Sequence, residues 1–259
     1  MTEAVSYRVE GGVAWLTIER PEARNALNAA VREGLWAGTR RFNEDATAKV
    51  MVLTGAGDRA FCAGGDLKAA FAGELDIDGS PGDGVLGPSR WTDIYKPTIA
   101  AVNGVAYAGG LEWACWTDMA VADEHATFGV TCRRWNIGLA DGGTQRLTRI
   151  LGYRRAIELI ITGRVIDARE AERIGLVNEV VPKGTCLQRA IELAESIAAL
   201  PQPALRTDLE AARTGQGRPL EDGLRIEAQC FSRSIVDAET VEGLRRFNER
   251  DHPDLARSL

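Results

Sequence analysis

The sequence predicts an α/β fold that closes in a purely helical C-terminal part. Two observations carry this. Up to about residue 182, short runs rich in Val, Ile and Ala alternate with segments whose apolar residues recur at helical spacing. From Cys186 onward only the helical pattern remains. Strands alternating with helices, followed by helices alone, indicate an α/β layer with an appended helical region.

The elements follow in order. Tyr7 to Glu19 alternates and then runs apolar through Val13-Ala14-Trp15-Leu16-Thr17-Ile18; with Gly11-Gly12 ahead of that run it reads as a hairpin strand. Arg20 to Asn28 is a loop, and Asn28 caps a helix bearing Val31, Leu35 and Phe42 on one face. Lys49 to Thr54 is a short buried strand ending in the turn Gly55-Ala56-Gly57, and residues 73–90, rich in Gly, Asp, Pro and Ser, read as a mobile surface loop. Thr98 to Val102 is a second buried strand, ended by Asn103-Gly104; a helix then runs from near Gly109 to about Cys115, and Met119 to Ala122 is a further strand. Thr144 to Ile161 is helical, with Leu147, Leu151, Ile157 and Ile160 inward; Asp167 caps a short helix that stops near Gly175; Leu176 to Val181 is a strand ended by Pro182. Leu187, Ile191, Ala194 and Ile197 share one helix face, Pro201 to Pro203 breaks that helix, and two further helices follow.

Composition narrows the function. The chain has 259 residues, 45% hydrophobic and 26% charged, which are globular values and exclude a disordered chain or a small disulfide scaffold. The net charge of −6 argues against a nucleic-acid partner, which would call for a basic face, but leaves an anionic small molecule open. No apolar run reaches the ~18 residues of a membrane span, and the N-terminus lacks a basic stretch followed by an apolar one, so neither a membrane partner nor a signal peptide is expected. Five scattered Cys without a CxxC read as reduced thiols in a cytoplasmic protein, and two His, 125 and 252, are too few for a His-rich metal site.

Two segments share one shape: a buried strand, a glycine turn, then a helix. The first runs from Val52-Leu53-Thr54-Gly55 to Phe61-Cys62-Ala63-Gly64-Gly65-Asp66-Leu67, and the second from Ile99-Ala100-Ala101-Val102-Asn103-Gly104 to Ala108-Gly109-Gly110-Leu111-Glu112. Glycines beside a helix N-terminus leave backbone N–H groups free to hold an anion or a developing oxyanion. No Gly-Lys-Ser/Thr follows either turn, and Gly55-Ala56-Gly57 is followed by Ala60 where a dinucleotide fingerprint requires Gly. On spacing alone, close helix packing is the simpler explanation of these glycines.

Taken together the motifs resemble the enoyl-CoA hydratase/isomerase (crotonase) family. The matching stretches are Arg20-Pro21 with Asn25-Ala26-Leu27-Asn28, Phe61 to Leu67, Lys96-Pro97-Thr98 to Gly104, Ala108 to Glu112, Asp141-Gly142-Gly143-Thr144-Gln145-Arg146-Leu147, and Gly175 to Pro182, with a weaker match from Glu242-Gly243-Leu244 to Phe247 and Arg250. The resemblance implies a crotonase (ClpP-like) spiral of repeated ββα units over residues 1–190, carrying the acyl-CoA site. It also implies a C-terminal helical trimerisation region over 191–259, giving a homotrimer or a hexamer. An acyl-CoA thioester is the implied ligand; CoA belongs to the substrate, and no separate cofactor or metal is called for. The oxyanion donors map to the N–H groups of Gly65 and Gly109, and Glu112 matches the first of two acid–base glutamates. Arg24, Ala26, Leu27, Asp66 and Leu67 fall in segments that line pantetheine and adenine, and Phe247 and Arg250 in a part that touches CoA.

The chain departs from the family pattern at the second glutamate. An ungapped count from Phe128-Gly129 to Gly142-Gly143 places Cys132 there, either as a nucleophile, if ionised, or as a small buried filler. Asp141 is the nearest compensating carboxylate; it either joins the chemistry or caps the helix beginning at Gly142-Gly143. Arg133-Arg134 either grip an acidic acyl group or form a solvated face, and Trp113, Trp116 and Trp135 are candidates to shape the acyl pocket. The activity implied is enoyl-CoA hydration. The alternatives are an isomerase working with Glu112 alone and a CoA-thioester binding protein without catalysis.

Overall fold

The computed structural model describes residues 4–75 and 84–249. β1 (Val5–Glu10) and β2 (Val13–Ile18) form an antiparallel hairpin turned at Gly11-Gly12. β2 then starts a parallel series with β3 (Val50–Gly55), β5 (Thr98–Val102), β7 (Met119–Asp123) and β10 (Glu179–Val181), giving a six-stranded sheet in the order β1-β2-β3-β5-β7-β10. A smaller sheet holds β4 (Ala60–Cys62), β6 (Val105–Tyr107), β8 (Thr127–Gly129) and β9 (Val165–Asp167) in that order, with β9 antiparallel to β8. With α2 (Leu67–Phe71), α3 (Gly109–Trp116) and α4 (Gly143–Leu151), the chain three times runs from the large sheet to the small sheet to a helix: β3-β4-α2, β5-β6-α3, β7-β8-α4. This is a spiral of ββα units.

The inner part of the large sheet is covered on both faces, so β3 and β5 read as buried, mostly apolar runs. Along β3, Val50 and Val52 point one way and Met51 and Leu53 the other, following the two-residue period of a strand. Val50, Val52, Ile99, Ala101 and Val121 pack on α7 (Cys186–Ala198), which presents Cys186, Ala190, Ala194 and Ala198. The small residues at four-residue spacing let α7 lie flat on the sheet, and the expected division at residue 190 falls inside this helix. The opposite face joins Leu16, Ile18, Met51 and Leu53 to α1 (Ala29–Glu44) through Val31, Leu35 and Phe42. As the sequence predicts, Asn28 caps α1, its side chain accepting from the Val31 amide at 3.0 Å.

Several expectations are corrected. The helix predicted over 144–161 is two, α4 and α5 (Tyr153–Thr162), because Gly152 between them has φ 72° and leaves the helical path. The strand predicted over 176–181 shortens to β10; Leu176 and Val177 are buried in the turn after α6 (Ala168–Arg173), which Asp167 does cap. After α7 come three helices rather than two: α8 (Gln202–Gly215), α9 (Leu220–Ser234) and α10 (Ala238–Asn248). Residues 84–90 are no surface loop: Leu86, Gly87, Pro88 and Ser89 are buried. Residues 76–83 and Arg250 lie outside the described residues. Among the described residues no helix is long and apolar enough to cross a membrane.

Candidate active site

Two glycine turns meet at the centre of the spiral. After β4 the chain passes Ala63-Gly64-Gly65-Asp66 into α2. Leu27 pairs with this stretch: its N–H donates to the Gly64 carbonyl (2.8 Å) and its carbonyl accepts from Asp66 N–H (2.9 Å). That parallel bridge uses groups on either side of Gly65 and turns the Gly65 N–H to the opposite side. Gly64 has φ 93°, and a Cβ there would lie 2.8 Å from the Tyr107 carbonyl and 3.1 Å from the Gly109 nitrogen. The first turn therefore lies directly against the second. Gly110 brings α3 equally close, since a Cβ on it would collide with the Cys62 carbonyl. Ala108, at φ 48° and ψ −117°, sits at the helix entry, so Gly109 carries the first amide of α3, where the helix dipole favours negative charge. Neither the Gly65 nor the Gly109 amide has an acceptor among the described residues, and both line one cavity of about 340 Å³.

Glu112 stands one turn into α3 and lines the same cavity, 2% exposed. Its Oε1 accepts from the amides of Asp141 and Gly143, each at 2.8 Å. Burial pushes its carboxyl up to about 7, helped by the negative charge of Asp141 and opposed by those two amides and by Arg146. Gly143 permits the contact, since a Cβ there would lie 2.8 Å from Glu112 Cγ. A group poised near neutrality can both give and take a proton.

Asp141 does not cap α4. Gly142 is the N-cap of that helix and no side chain caps it, and Asp141 Oδ1 instead accepts from Leu86 N–H (3.0 Å) and from Ser89 Oγ. The Trp113 indole N–H donates to the Leu86 carbonyl (3.1 Å), the Arg146 guanidinium reaches the carbonyls of Asp141 and Ser89, and Arg90 reaches that of Ala140. Segment 84–90 is thus tied across the site, with the Leu86 side chain against Gly65 and Gly109. Sequence reasoning missed Leu86 and Ser89. Their stretch is glycine-rich, and their partners Trp113, Asp141 and Arg146 stand 27 to 57 positions away in the chain.

Cys132 does line the cavity, in the short 3-10 turn Thr131–Trp135. Burial raises its thiol above the ordinary value, Arg133 opposes this and the charge of Glu112 adds to it, so it is a neutral filler rather than a thiolate. The rest of the wall is apolar, with Leu75, Val85, Leu86, Leu139 and Ile137 beside the exposed Trp135. Trp113 and Trp116 are buried and pack on each other. Arg133 turns away to the Ile160 carbonyl and Arg134 is exposed, so neither lines the cavity to grip an acidic acyl group. Leu67 lines the cavity mouth. Arg24, Ala26 and Leu27 form the adjoining turn outside the cavity wall, with the Arg24 carbonyl accepting from Ala63 N–H (3.1 Å). Asp66 caps α2 and pairs with Arg20 (3.1 Å). Phe247, on α10, is 69% exposed and lies outside this cavity.

Comparison with known proteins points the same way. The sequence profile of the enoyl-CoA hydratase/isomerase family matches residues 8–257. A probable enoyl-CoA hydratase of Rhizobium meliloti (strain 1021) is 38% identical over 245 residues, covering 95% of each chain. The enoyl-CoA hydratase EchA19 of Mycobacterium tuberculosis is also 38% identical over 245 residues, covering 92% of this chain and 91% of that protein. The crystal structure of an enoyl-CoA hydratase from Mycobacterium tuberculosis H37Rv superimposes with a TM-score of 0.89 at 34% identity, over 96% of each chain.

Proposed function

Because the chain belongs to the enoyl-CoA hydratase/isomerase family, we propose that it adds water reversibly across the double bond of a 2-enoyl-CoA thioester. The observation that carries this reading is the meeting of two acceptor-free amides, Gly65 and Gly109, in one cavity with a carboxyl poised near neutrality, Glu112. Addition at the β carbon pushes an electron pair toward the thioester oxygen. Two fixed donors hold the resulting enolate oxygen without reorganising at the moment of reaction. Glu112 moves the proton. CoA enters as part of the substrate, with the turn of Arg24, Ala26 and Leu27 and the start of α2 at Asp66 and Leu67 along its path. The apolar wall suits an uncharged acyl group: among the described residues no Lys or Arg lines the cavity to hold a second acid on the chain.

A second reading has its own support. Cys132 offers no second carboxyl, and moving a double bond from the 3- to the 2-position needs only one base. Incubation with a short 2-enoyl-CoA and, separately, a 3-enoyl-CoA separates the two. A 3-hydroxyacyl product from the first supports hydration. A 2-enoyl product from the second without hydration selects the isomerase, and saturable binding with neither product selects a binding protein.

A further inference from the structure

We propose that Asp141, held in place by Ser89, is the second proton-transfer group of this site and replaces the carboxyl that position 132 lacks. The proposal rests on the hydratase reading and adds to it the group that handles the water.

The geometry is that of a carboxylate with one oxygen committed and one in reserve. Asp141 is 1% exposed. Oδ1 is held by Leu86 N–H and Ser89 Oγ, whereas Oδ2 is buried with no hydrogen-bond partner among the described residues. A buried carboxylate oxygen without a donor is unfavourable unless a ligand or water completes it. Asp141 lines the cavity, so a small turn of its carboxyl when substrate and water bind would let that water supply the donor. The residue is also locked to Glu112, because its own N–H donates to Glu112 Oε1 at 2.8 Å. Both residues also line the one cavity that holds the Gly65 and Gly109 amides. Helix capping, the ordinary use of an Asp before a helix, is not what this side chain does.

The two environments divide the labour. Glu112, raised toward neutrality, can carry a proton, and Asp141 acts on it as a negative charge. In hydration, Asp141 Oδ2 takes one proton from the bound water as its oxygen bonds to the β carbon. The double-bond pair shifts to make the enolate, whose oxygen rests on Gly65 and Gly109 N–H. Protonated Glu112 then gives its proton to the α carbon and the thioester carbonyl re-forms. Asp141 ends protonated and Glu112 ionised, and one proton passed back through solvent restores both. Dehydration runs the same steps in reverse. Ser89 touches no reacting atom and acts as a positioning residue.

The test uses the whole enzyme and two readouts: hydration of a four-carbon 2-enoyl-CoA, and exchange of the α-proton of a saturated four-carbon acyl-CoA in deuterated water. Exchange needs only Glu112 and the oxyanion donors. Asp141→Asn, which keeps size and an acceptor for Leu86 and Ser89, is expected to lower kcat for hydration about 10²–10⁴-fold while exchange stays within about threefold. Ser89→Ala is expected to lower kcat about tenfold or more at little-changed KM, and Ser89→Thr to restore it. If wild-type hydrates and Asp141→Asn keeps full kcat, the proposal is overturned and the hydratase reading stands. Loss of hydration and exchange alike, with a lowered melting temperature, also overturns it by reducing Asp141 to a tie for segment 84–90. A wild-type enzyme that hydrates no 2-enoyl-CoA removes both readings.

Discussion

At the scale of single residues, Glu112 shows one burial working for chemistry and against stability. Its carboxyl sits at about 7 instead of the ordinary 4.5, chiefly because it is removed from water. The fold thus favours the protonated form. The stability associated with Glu112 is complete below the ordinary carboxyl range and is lost progressively as pH rises through about 7, a loss on the order of 3 kcal/mol. Glu112→Gln is expected to cut hydration about 10²–10⁴-fold, because the amide keeps volume and an acceptor but transfers no proton. The same variant should melt at a higher temperature than wild-type at about pH 8, with the gap closing toward about pH 5; scanning calorimetry at both values checks this. If Glu112 is the acid in hydration, kcat for hydration falls above about pH 7 while dehydration gains, and opposite pH limbs for the two directions are the kinetic signature. Glu112, Gly65 and Gly109 were legible in the sequence because each sits inside a local motif. Asp141 was legible only as one of two alternatives, a second acid or a cap of the following helix. Its neighbours in sequence, Gly142 and Gly143, describe a helix start, whereas its partners Leu86 and Ser89 come from a segment whose composition resembles an exposed loop.

At the scale of elements, the contact between α3 and β4 sets the oxyanion donors. Gly110 packs so tightly on the Cys62 carbonyl that any side chain must lift the start of α3. Gly110→Ala is expected to destabilise the protein by about 1–3 kcal/mol, the usual cost of overpacking, and to lower kcat more than it raises KM, because the Gly109 amide moves with the helix. Thermal melting together with steady-state kinetics reads both effects. Elements were predicted well where their signals are local. Asn28 before α1, Asp167 before α6 and the apolar runs of β3 and β5 identify those elements from a few adjacent residues. They were misread where packing decides. The break at Gly152 interrupts a helical pattern that continues smoothly on both sides. Segment 84–90 is buried because Asp141, Trp113 and Arg146 reach across to it, which no local composition records.

At the scale of the whole molecule, the C-terminal helices leave a broad apolar surface uncovered. On α9, α10 and the turn between them, Leu220, Leu224, Phe231, Val236, Val241, Leu244 and Phe247 are each more than half exposed. Such clustering marks an interface. A trimer or hexamer is expected in sedimentation at micromolar concentration, with Leu244→Asp and Phe247→Asp together shifting the protein toward monomer; a wild-type monomer would refute this. The order of the large sheet has a further consequence, one of timing. Its strands pair in the order in which they are synthesised, each new one joining the last. A ribosome can thus release a chain that builds its sheet as it emerges, without waiting for a distant partner. One face is the exception. Val50, Val52, Ile99, Ala101 and Val121 stay bare until α7 has left the exit tunnel. The nascent chain is therefore stickiest just before residue 198 clears the tunnel, which is when a chaperone would find most to hold and when a stalled or truncated product would be most prone to aggregate.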